Sequence, residues 1–356
     1  MIAAPAILLL IVLAAIFFFR FMSAEIETPA GVVPLAVLGD SDSHAYHDTI
    51  LIPSTSGTRG GKFRATTLQW TEVLDKLRSN QINQGAWGAW GAPIKIAETL
   101  DWLGLGGRAP RKLDYRYNFA VSGAECADLM TGYYRQAPRL LAEMNRAPAQ
   151  WRRGVVMIQI GVNTIGQNES LDRYAKSGVT PQIRAEILAC VESHREAISL
   201  IAASYPQTHF MVAGIFDNAN MASNFERWIT PAELANIAAA LDIFDAGLRS
   251  LCAANPNITF IDARSWFRDH WGSRDAHGKP AYKSVNLGGA ASVTNTRGDN
   301  PRNAVLSDDH GGVVYNALWA RRSIEAMNSA FGLNLTPMTM AEIAVLVDPS
   351  GLIGLR

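Results

Sequence analysis

Short apolar runs alternate with longer amphipathic stretches along most of the chain. The runs at 32–38, 117–121, 155–160, 210–215 and 258–261 are uncharged and too short for helices, which is typical of strands buried on both faces. Apolar residues recur every three or four positions in the stretches 67–77, 125–144, 181–203, 231–253 and 313–331, which predicts helices. Strands that alternate with helices in this way predict an α/β protein with a doubly wound parallel sheet.

The pattern beyond residue 30 shows no repeat, no charge block and no low-complexity linker long enough to separate two domains. The simplest partition is therefore one domain over about residues 30–335. The remaining stretch, 336–356, is interpreted as a C-terminal tail that is partly helical around residues 340–347.

The N-terminus carries an unbroken apolar run over residues 3–19 that ends at Arg20. Seventeen helical residues extend about 25 Å, slightly less than the hydrocarbon core of a bilayer. We expect residues 1–24 to form a membrane-targeting helix, either a cleaved signal peptide or a retained transmembrane anchor. An apolar N-terminal run before a globular domain favours export, so we expect an extracytoplasmic, secreted or membrane-anchored protein.

Composition excludes several classes of protein. Thirty-two Lys and Arg balance 32 Asp and Glu, so the chain lacks the basic excess that nucleic-acid binding requires. The three cysteines, Cys126, Cys190 and Cys252, form no C-x-x-C pair, and a monomer can form at most one disulfide. His44 and His47 imitate a metal pair, but no third ligand block accompanies them, and we expect neither a metal nor a cofactor.

Polar residues follow the predicted strands at the edge where parallel sheets bind ligands. Ser41 follows the first strand, Gly123 the second and Asn163 the third, while His310 precedes the last long helix. Acyl transfer needs a nucleophilic hydroxyl, an imidazole that takes its proton, and donors for the oxyanion that forms. These four residues supply all three requirements, although each alone has a simpler interpretation as a turn, cap or surface residue.

These blocks, G-D-S-D-S, N-F-A-V-S-G, G-V-N and S-D-D-H, resemble those of the SGNH (GDSL-type) hydrolase family over most of residues 32–331. The resemblance implies a flavodoxin-like, three-layer α/β/α fold. It also implies that Ser41 is the nucleophile and His310 the base, and that the N–H groups of Ser41 and Gly123 and the amide of Asn163 bind the oxyanion.

The histidine block departs from the family pattern. The family usually carries Asp three residues before the histidine, where this chain has Ser307. Asp308 is our first choice for the acid that orients His310, and a Ser–His dyad supported by a backbone carbonyl is the alternative. Thr164 and Gly311 also replace the residues usual in the family, which affects loop geometry more than chemistry.

The segment 45–116 is long for this family and rich in Trp and Gly, so we interpret it as an insertion that folds over the site. Trp87 and Trp90 are the candidate substrate-binding residues there, because exposed indole rings stack on sugar rings or acyl chains. The simpler alternative is that these rings pack a local subcore.

The expected activity is serine-dependent hydrolysis of an acyl ester or an acylated carbohydrate through an acyl-enzyme on Ser41. Two alternatives stay open. An O-acyltransferase would pass the acyl group to a sugar hydroxyl, and a catalytically silent binding protein would share the fold, as the irregular spacing of Asp and His suggests.

Overall fold

The structure is a computed structural model. It describes residues 28–29, 31–52, 59–103, 107–253, 255–275, 277–288, 292–351 and 354. The expected membrane-targeting segment, 1–24, lies outside the described residues. Within the described ranges, the structure holds no helix that is both long enough and apolar enough to span a bilayer.

Strands and helices alternate through the first two thirds of the chain. The strands are β1 (Val33–Gly39), β2 (Ile82–Asn83), β3 (Trp87–Trp90), β4 (Lys112–Tyr115), β5 (Val155–Gln159), β6 (His209–Ala213), β7 (Ile258–Ile261), β8 (Gly272–Arg274), β9 (Pro280–Tyr282), β10 (Ser284–Asn286), β11 (Ser292–Arg297) and β12 (Asn303–Val305). The α-helices are α1 (Trp70–Arg78), α2 (Ile94–Trp102), α3 (Gln136–Met144), α4 (Asn168–Ser177), α5 (Pro181–Ser204), α6 (Pro231–Ala253), α7 (Ala263–Trp271), α8 (Val313–Phe331) and α9 (Met340–Val347).

The central sheet has the strand order β2-β1-β5-β6-β7, and every neighbouring pair is parallel. Counted among these strands alone, the order is 2-1-3-4-5, that of flavodoxin-like doubly wound sheets. The predicted parallel α/β fold is therefore confirmed. The carboxyl ends of β1 and β5 are adjacent at the point where the order reverses, which is where such sheets bind ligands.

Helices bury both faces of the sheet, and successive side chains of each strand point to opposite faces. In β1, Leu35 and Val37 join the core cluster built with α1, α7, α8 and α9. Ala36 and Leu38 join the opposite cluster, built with α3, α4, α5 and α6. This explains why the core strands are apolar at nearly every position rather than at alternate ones.

Two of the predicted elements differ in the structure. Residues 117–121 run beside β1 and bond to it through Val37 and Gly39, but they form a single bridge rather than a strand. The predicted helix over 125–144 is a short 3-10 turn, Cys126–Leu129, followed by α3. Gly132 and Arg135, with φ of +66° and +40°, break the helix between them, because left-handed residues cannot continue a right-handed helix.

The segment 45–116 is only partly an addition to the fold. Its helix α1 covers one face of the sheet and its strand β2 extends the edge, while β3 and β4 form a separate antiparallel pair. The C-terminal stretch also belongs to the body of the domain, because Ile343, Ala344 and Val347 of α9 are buried in the core.

Candidate active site

Ser41 lies in the turn that follows β1, at the carboxyl edge of the sheet. Asp40 organises this turn: its carboxylate accepts hydrogen bonds from the N–H of Asp42 (3.0 Å) and from the N–H of Gly161 after β5 (3.1 Å). Burial, together with repulsion from Asp42, raises the pKa of the Asp40 carboxyl well above its ordinary value. The turn that carries Ser41 is thereby joined to the turn that carries Asn163.

Asn163 is held against the loop of Gly123. It lies in a π-helical turn, Val162–Gly166, of the kind that is frequent at functional sites. Its Nδ2 donates to the carbonyl of Ala124 (2.8 Å) and its Oδ1 accepts from Gln167 (2.9 Å), which fixes the direction of the amide. One hydrogen of Nδ2 is left for a ligand, since an amide nitrogen carries two.

The backbone at Gly123 and Ser41 offers two more donors. Gly123 is exposed and has a φ of +84°, which a residue with a side chain adopts only with strain. Among the described residues, no hydrogen bond uses the N–H of Gly123 or the N–H of Ser41. Both N–H groups can therefore donate to a substrate oxygen.

His310 lies in the loop between β12 and α8, closed by a hydrogen bond from the N–H of Leu306 to the His310 carbonyl (2.7 Å). Its Nδ1 lies 3.1 Å from the Asp308 carboxylate and 3.1 Å from the Asp308 carbonyl. Asp309 turns away, with a φ of +67° and an ion pair to Arg297 (2.9 Å). Asp308 is thus the carboxylate that the structure places on His310, and its backbone carbonyl lies beside the same nitrogen.

Tyr46 joins the Ser41 loop to the His310 loop. Its hydroxyl donates to the carbonyl of Gly311 (2.9 Å), and the centre of its ring lies 6.4 Å from that of His310 in an edge-on arrangement. Together with the Asp40–Gly161 and Asn163–Ala124 hydrogen bonds, this contact connects all four blocks predicted from the sequence.

Arg59 is a site residue that the sequence analysis missed. Its Nη2 lies 3.0 Å from Nε2 of His310, and its Nε donates to the Asp308 carboxylate (2.9 Å). A guanidinium can only donate, so Nε2 of His310 is an acceptor and its proton lies on Nδ1, facing Asp308. No motif marks Arg59, because its partners lie about 250 residues further along the chain.

The structure does not bring Ser41 into hydrogen-bond contact with His310, since Arg59 occupies Nε2. The imidazole of His310 nevertheless has an ionised carboxylate beside it, as a histidine that acts as a base requires. Burial raises the pKa of Asp308, but the hydrogen bond from His310 and the charge of Arg59 outweigh it and hold the pKa below its ordinary value. Asp308 is therefore ionised at neutral pH.

Trp87 and Trp90 lie on β3 and make their contacts within the 45–116 segment. Trp87 packs edge-on against Tyr115, with 5.0 Å between ring centres, and the Arg116 guanidinium lies 5.4 Å from the Trp90 ring. The structure records no ring or hydrogen-bond contact from either tryptophan to Ser41. Trp87 is still 40% exposed, so a face of the indole is open to solvent.

Among the described side chains, no cluster of three or more His, Cys, Asp and Glu residues is arranged to hold a metal. His44 and His47, which imitate a metal pair in the sequence, diverge. His44 bonds to Asp48 (2.9 Å), whereas Nδ1 of His47 bonds to Glu72 (2.8 Å).

A disulfide supports the loop that carries Gly123. Cys126 is joined to Cys190 of α5, with 5.1 Å between their Cα atoms, and Cys252 is free. The N–H of Cys126 also donates to Oγ1 of Thr164 (2.9 Å), directly after Asn163. The disulfide therefore anchors the Gly123 loop to a helix behind the site.

The chain belongs to the GDSL-like lipase/acylhydrolase family, whose sequence profile matches residues 84–281. The match includes Gly123 and Asn163, while Ser41 and His310 lie outside it. The family relationship makes the chain a lipase- or esterase-like hydrolase and confirms the resemblance found in the sequence. No curated protein sequence matches the chain significantly.

Solved structures of lipases are similar to this one at low sequence identity. An extracellular lipase from Streptomyces rimosus is 16% identical, with a TM-score of 0.39 over 67% of this chain and 83% of that one. Phospholipase A1 from Streptomyces albidoflavus is 13% identical, with a TM-score of 0.35 over 84% of this chain and 99% of that one. A lipase from a goat rumen metagenome is 14% identical, with a TM-score of 0.35 over 70% of this chain and 91% of that one.

Proposed function

We propose that this protein is a serine esterase that hydrolyses acyl esters through a covalent acyl-enzyme on Ser41. The observation that carries the proposal is the Asp308–His310 pair, which lies beside the loop of Ser41 with its tautomer set for proton abstraction. With the proton on Nδ1 and held by Asp308, the lone pair of Nε2 is the one that can accept the serine proton.

In the first step, Oγ of Ser41 attacks the ester carbonyl while Nε2 of His310 takes the hydroxyl proton. The alcohol then leaves with that proton. A water molecule, deprotonated by His310, attacks the acyl carbon, and His310 returns the proton to Oγ of Ser41 as the bond from Oγ to the acyl carbon breaks and the acid leaves. The negative charge on the carbonyl oxygen is held by the N–H groups of Ser41 and Gly123 and by the free hydrogen of the Asn163 amide.

Arg59 must give up its place at Nε2 before Ser41 can transfer a proton. Its contact with Asp308 uses a different nitrogen, Nε, so the guanidinium can keep that ion pair while Nη2 leaves the imidazole. The same contact favours the second candidate function, a binding protein with the hydrolase fold. In that protein Arg59 would hold Nε2 permanently and Ser41 would not be activated.

Substrate binding by Trp87 and Trp90 is part of the proposal, and its support is the exposed face of Trp87. We also propose that the protein is exported. The support is the Cys126–Cys190 disulfide, because disulfides persist in oxidising compartments and are rare in the cytosol.

The test of the esterase proposal compares the parent protein with Ser41→Ala on a series of p-nitrophenyl esters of increasing chain length. Turnover by the parent and none by the variant supports the proposal, provided that both give the same circular dichroism spectrum. A folded parent protein that hydrolyses none of the esters favours the binding protein.

A further inference from the structure

A second Ser–His–Asp cluster lies next to the proposed oxyanion site. Nδ1 of His44 lies 2.9 Å from Oγ of Ser122 and accepts a hydrogen bond from the Ser122 N–H (3.2 Å). Nε2 of the same ring lies 2.9 Å from the carboxylate of Asp48. Ser122 directly precedes Gly123, whose loop is closed by a hydrogen bond from Ala124 N–H to the Val121 carbonyl (3.0 Å).

These contacts determine the tautomer of His44. A backbone N–H can only donate, so Nδ1 must be the unprotonated nitrogen and Nε2 must carry the proton toward Asp48. Burial, together with the nearby charge of Lys112, lowers the pKa of His44, which keeps the ring neutral at pH 7. Nδ1 is thus a permanent acceptor for Ser122.

Backbone hydrogen bonds hold the carboxylate of Asp48 in place beside the His44 ring. Its Oδ1 accepts from the N–H groups of Ile50 (2.8 Å), Leu51 (3.2 Å) and Leu113 on β4 (3.0 Å), leaving Oδ2 for His44. His44 and Asp48 are both fully buried. A hydrogen-bonded path therefore runs from β4, in the segment between the first two sequence blocks, to the residue before Gly123.

We propose that His44 is a positioning residue that sets the direction of the Gly123 N–H by holding Ser122 at two points. This inference rests on the proposed function, because it assumes that Gly123 donates to the oxyanion of the Ser41 reaction. A peptide plane is rotated by the residues on either side of it, so fixing Ser122 fixes the N–H of the next residue. The family resemblance of the four sequence blocks implied no role for His44 or for Ser122.

The geometry favours this role over a second nucleophilic centre on Ser122. In the proposed Ser41 site, the N–H of the nucleophile itself donates to the oxyanion. The N–H of Ser122 is already committed to His44, and the imidazole is completely buried. The positioning role, in contrast, requires only the two hydrogen bonds that Ser122 already makes to Nδ1 of His44.

The test uses a matched pair of variants of His44. Asparagine places an amide oxygen near the position of Nδ1, so His44→Asn keeps an acceptor for Ser122. Glutamine places its amide near the position of Nε2, so His44→Gln keeps the bond to Asp48 and releases Ser122. We expect kcat to fall about 10- to 100-fold in His44→Gln with KM unchanged, because a displaced oxyanion donor weakens only the transition state. His44→Asn should retain kcat within about threefold, since the donor keeps its direction.

Two further variants complete the experiment. Ser122→Ala, on a partly exposed residue, loses the hydroxyl bond but keeps its N–H, and should lower kcat less than His44→Gln does. His47→Gln is the control, because His47 belongs to the same segment but bonds to Glu72 and should leave kcat unchanged.

Labelling with a fluorophosphonate separates failure of this inference from failure of the proposed function. A parent protein labelled at Ser41, with slower labelling in His44→Gln than in His44→Asn, supports the inference. Equal labelling rates and equal kcat in the two His44 variants overturn it while the esterase proposal stands. Labelling of Ser122 overturns it as well, and a parent protein that is not labelled at all refutes both.

Discussion

The contribution of the Cys126–Cys190 disulfide to the free energy of unfolding can be predicted from the number of residues between the two cysteines. The bond spans 64 residues. In the chain-entropy description, closing a loop of this length lowers the entropy of the unfolded state by roughly 14 cal/mol/K, which stabilises the fold by about 4 kcal/mol at 25 °C. Replacing both residues with alanine should therefore lower the free energy of unfolding by about 4 kcal/mol.

Urea unfolding followed by tryptophan fluorescence measures this loss, with Cys252→Ala as the matched control. Cys252 is free and half-buried, so its removal should change the free energy of unfolding by no more than about 1 kcal/mol. The m value of the double variant should rise, because an uncrosslinked unfolded chain exposes more surface. A double variant that unfolds at the same urea concentration as the parent would refute the reasoning.

The same double variant should also lose activity. Cys126 lies three residues after Gly123, and its N–H bonds to the residue after Asn163. Without the anchor on α5, the two proposed oxyanion donors lose a common support, so kcat should fall in a variant that is still folded at 25 °C. Unchanged kcat would show that the loop holds its shape without the disulfide.

Three further predictions concern single residues, and a fourth concerns a pair of tryptophans. Asn163→Ala should lower kcat by about 10²- to 10³-fold with little change in KM, measured on a p-nitrophenyl ester, and unchanged turnover would remove Asn163 from the oxyanion site. Asp308→Asn should lower kcat by at least about 10²-fold, because the imidazole loses the charge that stabilises its protonated form, and activity equal to the parent's would leave the backbone carbonyl as the sole partner. Replacing Trp87 and Trp90 with alanine should raise KM while the cooperative thermal transition is kept, and loss of that transition would mean that the rings only pack. Burial lowers the pKa of His194 to about 4, so the unfolded state binds more protons than the folded state between pH 6.5 and 4, and the free energy of unfolding falls as the pH drops through that range. His194→Leu should abolish roughly 3 kcal/mol of this loss. Unfolding curves of the variant with the same acid dependence as the parent's would contradict the prediction.

The layers of the fold could be predicted from the sequence because their pattern is strong. Strands β5, β6 and β7 are apolar at all but one position each, and α5, α6 and α8 are long, so their positions agree with the prediction within one or two residues. The segment at 117–121 looks like a buried strand because it is mostly apolar, yet it forms a single bridge to β1 and a hydrogen bond from the Tyr117 N–H to the Gln84 carbonyl rather than a full ladder. An apolar pattern indicates that a segment is buried. It does not indicate how many strands pair with that segment.

The short elements escaped the sequence analysis for a related reason. The edge strand β2 has two residues, and the small strands between Gly272 and Val305 have three to six residues with polar or exposed positions among them, so none of them shows an extended apolar pattern. Their positions depend on contacts with segments distant in the chain, such as the parallel pairing of β2 with β1 and the hydrogen bond from Asn295 of β11 to the carbonyl of Asn220.

The residues of the candidate site also divide into those that the sequence predicts and those that only the folded chain reveals. Ser41, Gly123, Asn163 and His310 could be proposed because each follows a strand or precedes a helix in a recognisable block. Arg59 could not, since only the folded chain places it against a histidine about 250 residues away. The pairing of His44 with Ser122 was equally hidden, because the two residues lie 78 positions apart and the sequence predicts no role for His44 beyond an imitation of a metal pair.

The most direct test of the central claim is labelling with a fluorophosphonate, followed by mass spectrometry of the digested protein. A serine esterase with Ser41 as nucleophile predicts one labelled peptide that contains Ser41, with labelling abolished in Ser41→Ala and strongly slowed in His310→Gln. A correctly folded protein that takes up no label, or that carries the label on another serine, would contradict the account.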